Sequence, residues 1–137
     1  MTFTRRDFVA ALLCSGTGVA FAAEQGGSAS DTGQYPVFVV ATIEVNPGKR
    51  AEFIEIFKSN VPNVAAEDGY VSYDPVVDFE TAIGAQAPQR PNVMTVVEKW
   101  ASIDALRVHL QAPHMNAYRE QVKDLVAGVT LHVMKPA

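Results

Sequence analysis

The chain has 137 residues, 48% of them hydrophobic, a formal net charge of −4 and one cysteine, Cys14. That length gives a single domain with a single core and excludes a separate cofactor-binding domain. An acidic balance without any basic run argues against nucleic acid or an anionic membrane surface as partner, and a lone cysteine excludes an intrachain disulfide or a cysteine-based metal cluster.

The first segment does not read as folded protein. Thr4-Arg5-Arg6-Asp7-Phe8-Val9 is a twin-arginine pattern, followed by the apolar run Val9–Leu13 and the small-x-small site Ala20-Phe21-Ala22. Residues 1–22 are therefore predicted to be a Tat-type export signal, with the Tat machinery as partner and a periplasmic or otherwise exported product. The alternative, an N-terminal membrane anchor, is countered by Ser15-Gly16-Thr17-Gly18, which leaves too short an apolar run for about 30 Å of hydrocarbon. Leu13 is too bulky for the residue before a lipid-modified cysteine. Without the leader, where Arg5, Arg6 and Asp7 net +1, the remainder carries −5. Residues 23–36 include the Gly/Ser-rich Glu24–Pro36 stretch, predicted to be a flexible tether because it has too little apolar surface to bury.

The folded domain is predicted over 37–137. Along Val37–Val45, Val37, Val39, Ala41, Ile43 and Val45 alternate with Phe38, Val40, Thr42 and Glu44. Both sets are largely apolar, so a central strand covered on both faces is expected, ended by a turn at Asn46-Pro47-Gly48. From Lys49 the period becomes helical, with Phe53, Ile54, Phe57, Val61 and Val64 on one face. Pro62 is expected to kink or break that helix near Ser59–Val61, and Glu67-Asp68-Gly69 supplies a stop with Gly69 just beyond the end. Tyr70–Val77 reads as a second strand placed at an edge by Pro75. Asp78–Pro91 is a long connection that reads as a functional loop or an arm contacting a partner chain.

Val93–Trp100 is the third strand. Met94, Val96, Glu98 and Trp100 point to one side, so a carboxyl and an indole share a face. Ser102 is a helix N-cap with Asp104 in the first turn; His109 lies two turns in, and Pro113 ends that helix and starts the next, placing His114 at the junction. A helix over Pro113–Ala127, stopped by Gly128, and a last strand over Val129–Met134 complete a βαββααβ order. That order predicts an α+β fold with helices on one face of an antiparallel sheet. The other face remains apolar, and a second copy is its simplest cover, so a homodimer through sheet faces is expected.

Several residues are candidates for chemistry. His109 and His114 change charge near neutral pH and suit proton transfer, a structural role being their alternative, and Glu98 in an apolar site could accept a proton from a phenol, with structural ion pairing as its alternative. Trp100 either walls a pocket against a flat substrate or packs in the core. Tyr73, Tyr118 and Asn116 are candidate substrate-binding residues. A metal site is not expected, because the five-residue spacing of His109 and His114 keeps them off one helical face. Phosphate loops, nucleophile elbows and zinc motifs are absent from the sequence.

Val39–Glu44, Asn46-Pro47-Gly48-Lys49, Glu67-Asp68-Gly69, Tyr70–Asp74, Glu98-Lys99-Trp100, Ala105, His109 and Pro113-His114-Met115 are together similar to the antibiotic biosynthesis monooxygenase family, including its small quinol monooxygenases. The resemblance covers Val37–Val133. It implies a ferredoxin-like fold, a face-to-face dimer forming a dimeric α/β barrel, and oxidation of a quinol or similar electron-rich aromatic by O₂ with no cofactor; the residues themselves offer His109, His114 or Glu98 to deprotonate a phenolic hydroxyl. The Asp78–Pro91 connection is longer than the family's strand link, and the twin-arginine leader is unusual for it. A haem-degrading branch uses an Asn on the first strand, where this chain has Thr42 and Glu44, so haem chemistry is not carried over. A non-catalytic periplasmic dimer that binds a small aromatic or assists a partner enzyme is the alternative function.

Overall fold

A computed structural model describes residues 2–4 and 35–137; apart from Thr2–Thr4, Tyr35 and Pro36, the expected leader and tether, Cys14 included, lie outside the described residues. The elements are β1 (Thr2–Thr4), β2 (Val37–Val45), α1 (Arg50–Ala65), β3 (Tyr70–Val76), β4 (Val93–Trp100), α2 (Ile103–Gln111), α3 (Pro113–Val122) and β5 (Val126–Met134). The strands form one sheet in the order β1-β5-β2-β4-β3, antiparallel at every pairing. From β2 onward this is the ferredoxin-like arrangement, the expected α+β fold.

The core lies between the sheet and its helices. Val37, Val39, Ala41, Ile43 and Val45 of β2 and Met94 and Val96 of β4 are buried against Phe53, Phe57 and Val64 of α1, Leu106 of α2, and Met115, Tyr118 and Val122 of α3. Each of the valine, isoleucine, leucine, methionine and phenylalanine side chains among them contributes roughly 1.5–3 kcal/mol by leaving water. The alternation along β2 and β4 keeps one set of side chains on the helix side throughout, since a slip of one residue would turn them all outward. β3 pairs only with β4, so Pro75 sits on an edge strand where its missing N–H breaks no ladder.

Three expectations change. α1 is continuous and carries Pro62 inside it: Lys58, whose carbonyl loses its helical donor to Pro62, is exposed to solvent, and Phe57 and Val64 anchor the helix on either side. α3 ends at Val122, five residues before the expected end at Ala127, and Gly128 lies inside β5, opposite Glu44. Asn46 accounts for this, because its N–H donates to Leu125 O at 2.8 Å and its side-chain amide to Asp124 O at 2.9 Å, holding the chain as a turn. Finally, within one chain β2 is covered on its helix side only. Phe38, Val76, Val97 and Met134 on the other face are exposed.

Candidate active site

β4 delivers the first two groups. Glu98 and Trp100 are two residues apart on the helix-facing side, and the indole Nε1–H donates to Glu98 Oε2 at 2.9 Å. Glu98 is 5% exposed and Trp100 is fully buried. Burial pushes the Glu98 carboxyl up to about 7, with the nearby Glu67 charge adding and the indole hydrogen bond opposing. A carboxyl that ordinarily ionises in acid thus gains or loses its proton near neutrality.

α2 delivers the imidazole. Ser102 caps the helix by accepting from the Ala105 N–H at 3.1 Å, which fixes its start directly after β4 and folds it back over the strand's end. His109, 1% exposed, then lies with its ring centroid 4.5 Å from that of Trp100 and 5.4 Å from that of Tyr73. Burial lowers its pKa below 6.5 while Glu67 opposes the shift. Nδ1 is 3.0 Å from Glu67 Oε1 and 3.2 Å from Oε2.

Glu67 belongs to the turn between α1 and β3. Gly69 in that turn has φ +82°, and a Cβ placed on it would run into the Cβ of Ala105 on α2. The turn therefore packs directly on α2, and the next turn of that helix brings His109 to Glu67. A residue other than glycine here would meet both an unfavourable backbone and a steric collision.

His114, at the start of α3, approaches the same carboxylate from the other side. Its Nε2 is 2.7 Å from Glu67 Oε1, but the ring is turned so that no directed hydrogen bond forms there; Nδ1 faces Asn60 Oδ1 of α1 at 3.2 Å. His114 thus reaches the cluster through Glu67, whereas His109 also stacks on Trp100.

Aromatic rings enclose the cluster. Tyr73 stacks on Phe57 at 5.3 Å and 6°, and Phe57 meets Tyr118 edge-on at 5.8 Å. Burial holds both phenols above their usual ionisation range, which leaves them as hydrogen-bond donors at neutral pH. Arg119 of α3 is buried beside them. Its Nη2 donates to Leu110 O at 2.6 Å and its Nη1 to Asn116 Oδ1 at 2.9 Å, and burial lowers its pKa.

Of the seven residues singled out by sequence, Glu98, Trp100, His109 and Tyr73 share one buried cluster, Tyr118 adjoins it through Phe57, and His114 is joined to it by Glu67. Asn116 is exposed, and its amide oxygen is bound to Arg119. Glu67, Asn60 and Arg119 were not foreseen. Glu67 reads in sequence as part of a helix stop; only its place two residues before a turn glycine hints that the backbone is held there. Arg119 beside the buried stripe residue Tyr118 is a comparable signal. Among the described residues no three His, Cys, Asp or Glu side chains are disposed to hold a metal ion.

Comparison with known proteins places this arrangement. Residues 36–121 match the antibiotic biosynthesis monooxygenase family model. The chain belongs to the antibiotic biosynthesis monooxygenase family. It is 36% identical over 100 residues to the Escherichia coli protein named probable quinol monooxygenase YgiN, covering 72% of this chain and 95% of that one. Among solved structures it is similar to Rv0793 from Mycobacterium tuberculosis, at 30% identity and a TM-score of 0.58 over 74% of this chain and 95% of that one. Its fold also matches that of PA3566 from Pseudomonas aeruginosa, with a TM-score of 0.62 and 20% identity over 75% and 95% of the two chains. Family membership makes this chain a monooxygenase by class, and the buried carboxyl, indole and imidazole of β4 and α2 lie within the matched residues.

Proposed function

We propose that this antibiotic biosynthesis monooxygenase family member oxidises a quinol, or a similar electron-rich aromatic, with O₂ and without a cofactor. The observation that carries the reading is the pairing of Glu98, pushed up to about 7, with His109, lowered below 6.5, against the buried face of Trp100. Near neutral pH such a pair offers a neutral imidazole base and a carboxyl still partly protonated. Two titratable groups whose environments set them for opposite duties are the mark of an acid–base site. The name of the Escherichia coli relative supports a quinol as the substrate class.

In this reading His109 Nε2 takes the proton of a phenolic hydroxyl. The electron-rich anion passes one electron to O₂, and the resulting ring radical and superoxide combine to form a carbon–oxygen bond. His109 returns its proton to the terminal oxygen of the peroxide; the O–O bond then breaks, and the hydroxide released takes the ring hydrogen at that carbon as a proton, so one oxygen atom stays in the product and the other leaves as water. The substrate is the reductant. Protonated Glu98 donates to a substrate oxygen, Trp100 walls the site, and the aromatic enclosure keeps water out. Oxygen uptake with a panel of reduced quinones under ¹⁸O₂, using metal-free protein, tests this: one labelled atom per product is expected, and no uptake above autoxidation for any member of the panel overturns it.

We also propose that the uncovered sheet face closes on a second copy, supported by the exposed Phe38, Val76, Val97 and Met134, and that the twin-arginine pattern at Arg5-Arg6 directs export to the periplasm. A compact monomer in sedimentation and a leader that fails to carry a reporter across the inner membrane are the respective contrary results.

A further inference from the structure

We propose that Glu67 is the positioning residue of this site: it holds His109 in the one tautomer that leaves Nε2 free to act as base, and it balances the imidazolium formed when Nε2 takes a proton. The inference deepens the proposed proton transfer and rests on it.

A carboxylate only accepts hydrogen bonds, and both oxygens of Glu67 lie within 3.2 Å of His109 Nδ1. Nδ1 must therefore carry the hydrogen. A neutral imidazole has one N–H, so the lone pair falls to Nε2. The opposite tautomer would set the Nδ1 lone pair against a carboxylate in a buried site, where repulsion is poorly screened. The titratable and charged groups around His109 are Glu98 from β4, Tyr73 from β3, His114 and Arg119 from α3, and Glu67 from the turn. Among the described residues, Glu67 alone is within hydrogen-bond distance of the ring.

His114 Nε2 lies 2.7 Å from Glu67 Oε1 without a directed hydrogen bond, and His114 Nδ1 faces Asn60 Oδ1. Asn60 is kept in place by the Asn63 amide, which donates to the same oxygen at 3.0 Å. Side chains from α2 and α3 thus approach one carboxylate of the turn, and the close packing of Gly69 on Ala105 sets the distance at which His109 does so. The two carboxyls near His109 have separate duties. Glu98, bonded to the indole, is the acid; Glu67, bonded to the imidazole, orients the base.

The test combines ring-nitrogen NMR of His109 with kinetics of Glu67→Gln. In wild-type protein above pH 8, Nδ1 is expected to be protonated and Nε2 bare. Glu67→Gln, whose amide can either donate or accept, mixes the tautomers and lowers kcat about 100-fold with KM changed less than about 3-fold. Because Glu67 raises the His109 pKa, its loss moves the acidic limb of the rate profile to lower pH. A merely structural role would lower the rate and leave that limb in place. A wild-type His109 with its hydrogen on Nε2, or a Glu67→Gln profile with an unmoved acidic limb, overturns the proposal. Should wild-type protein oxidise no quinol, the proposed function fails on its own, while the nitrogen resonances still decide the tautomer. They do so equally if Glu67→Gln does not fold.

Discussion

On the helix-covered face of the sheet a carboxyl, an imidazole and a guanidinium are packed among Trp100, Tyr73, Phe57 and Tyr118, whereas the opposite face leaves Phe38, Val76, Val97 and Met134 in solvent. Both arrangements run against the usual partition of polar and apolar groups, and for different reasons. Burying an ionisable group costs several kcal/mol unless partners compensate, so the inner face gives up stability to hold groups whose protonation is poised near neutral pH. Exposing apolar side chains forgoes stabilisation that association can still recover. The inner face is thus read as chemistry within one chain and the outer face as a surface for a second chain.

The sharpest way to break this division is to change one face and measure both. His109→Gln keeps the volume beside Trp100 and removes the base, so turnover is expected to fall by roughly 100- to 10,000-fold. The sedimentation behaviour should be unchanged. A change in association of the same size as the change in rate would mean that the two faces are not independent.

Glu98→Gln tests whether the inner face has given up stability. The folded-state pKa of Glu98 lies at about 7 against an ordinary 4.5, so the folded protein binds this proton more tightly than the unfolded chain does. The stabilisation from that proton is fully present below about 4.5 and is lost as pH rises through about 7. Its size is on the order of 3 kcal/mol. His109 has the opposite sign, since its lowered pKa makes stability increase as pH rises towards 6.5. The difference between wild type and Glu98→Gln in urea unfolding isolates the carboxyl: the variant should gain relative stability from pH 5 to pH 8 while losing the acid needed for turnover. An equal pH dependence in the two proteins would show that burial does not hold the carboxyl protonated.

Val97→Glu addresses the outer face. Val97 is 44% exposed and sits opposite Val40 on β2 and Asp74 on β3, in the middle of that surface. A charge there is expected to weaken association on the order of 10- to 100-fold, read by sedimentation equilibrium, with the unfolding midpoint of the isolated chain little changed.

How much of this was legible in the sequence depends on the range of the interactions involved. The strand over Val93–Trp100, the side shared by Glu98 and Trp100, and the cap at Ser102 follow from alternation and local hydrogen bonding, and they stand as read. The extent of α3 did not, because Leu125 and Val126 continue a helical period that Asn46, from the distant end of β2, interrupts. Glu67 was hidden for the same reason. Its partner His109 is 42 residues away, and the contact exists only because Gly69 lets a turn rest on α2. Local chemistry fixes which side chains share a strand face; long-range packing decides which of them meet.

The connection between β3 and β4 is the region where the two faces are least distinct, and it carries the smallest expected effect. Arg90 forks onto Asp78, with Nε donating to Oδ2 at 2.9 Å, Nη2 to Oδ1 at 2.7 Å, and the Arg90 N–H to Oδ2 at 2.8 Å. These bonds close the base of the loop and hold the Asp78 carboxyl down at about 2. Gln86 ties the tip to Thr81 and to the Phe79 carbonyl, yet Phe79 remains 79% exposed. Asp78→Ala should speed amide exchange over 79–90 by about tenfold at neutral pH without moving the global unfolding midpoint. Wild type should show the same loosening only as pH falls through about 2, because a depressed carboxyl keeps its partner until it is protonated. If the variant also weakens association, the arm belongs with the outer face; if it raises KM alone, it borders the site. Faster exchange with neither change would show that the fork orders the loop for its own sake.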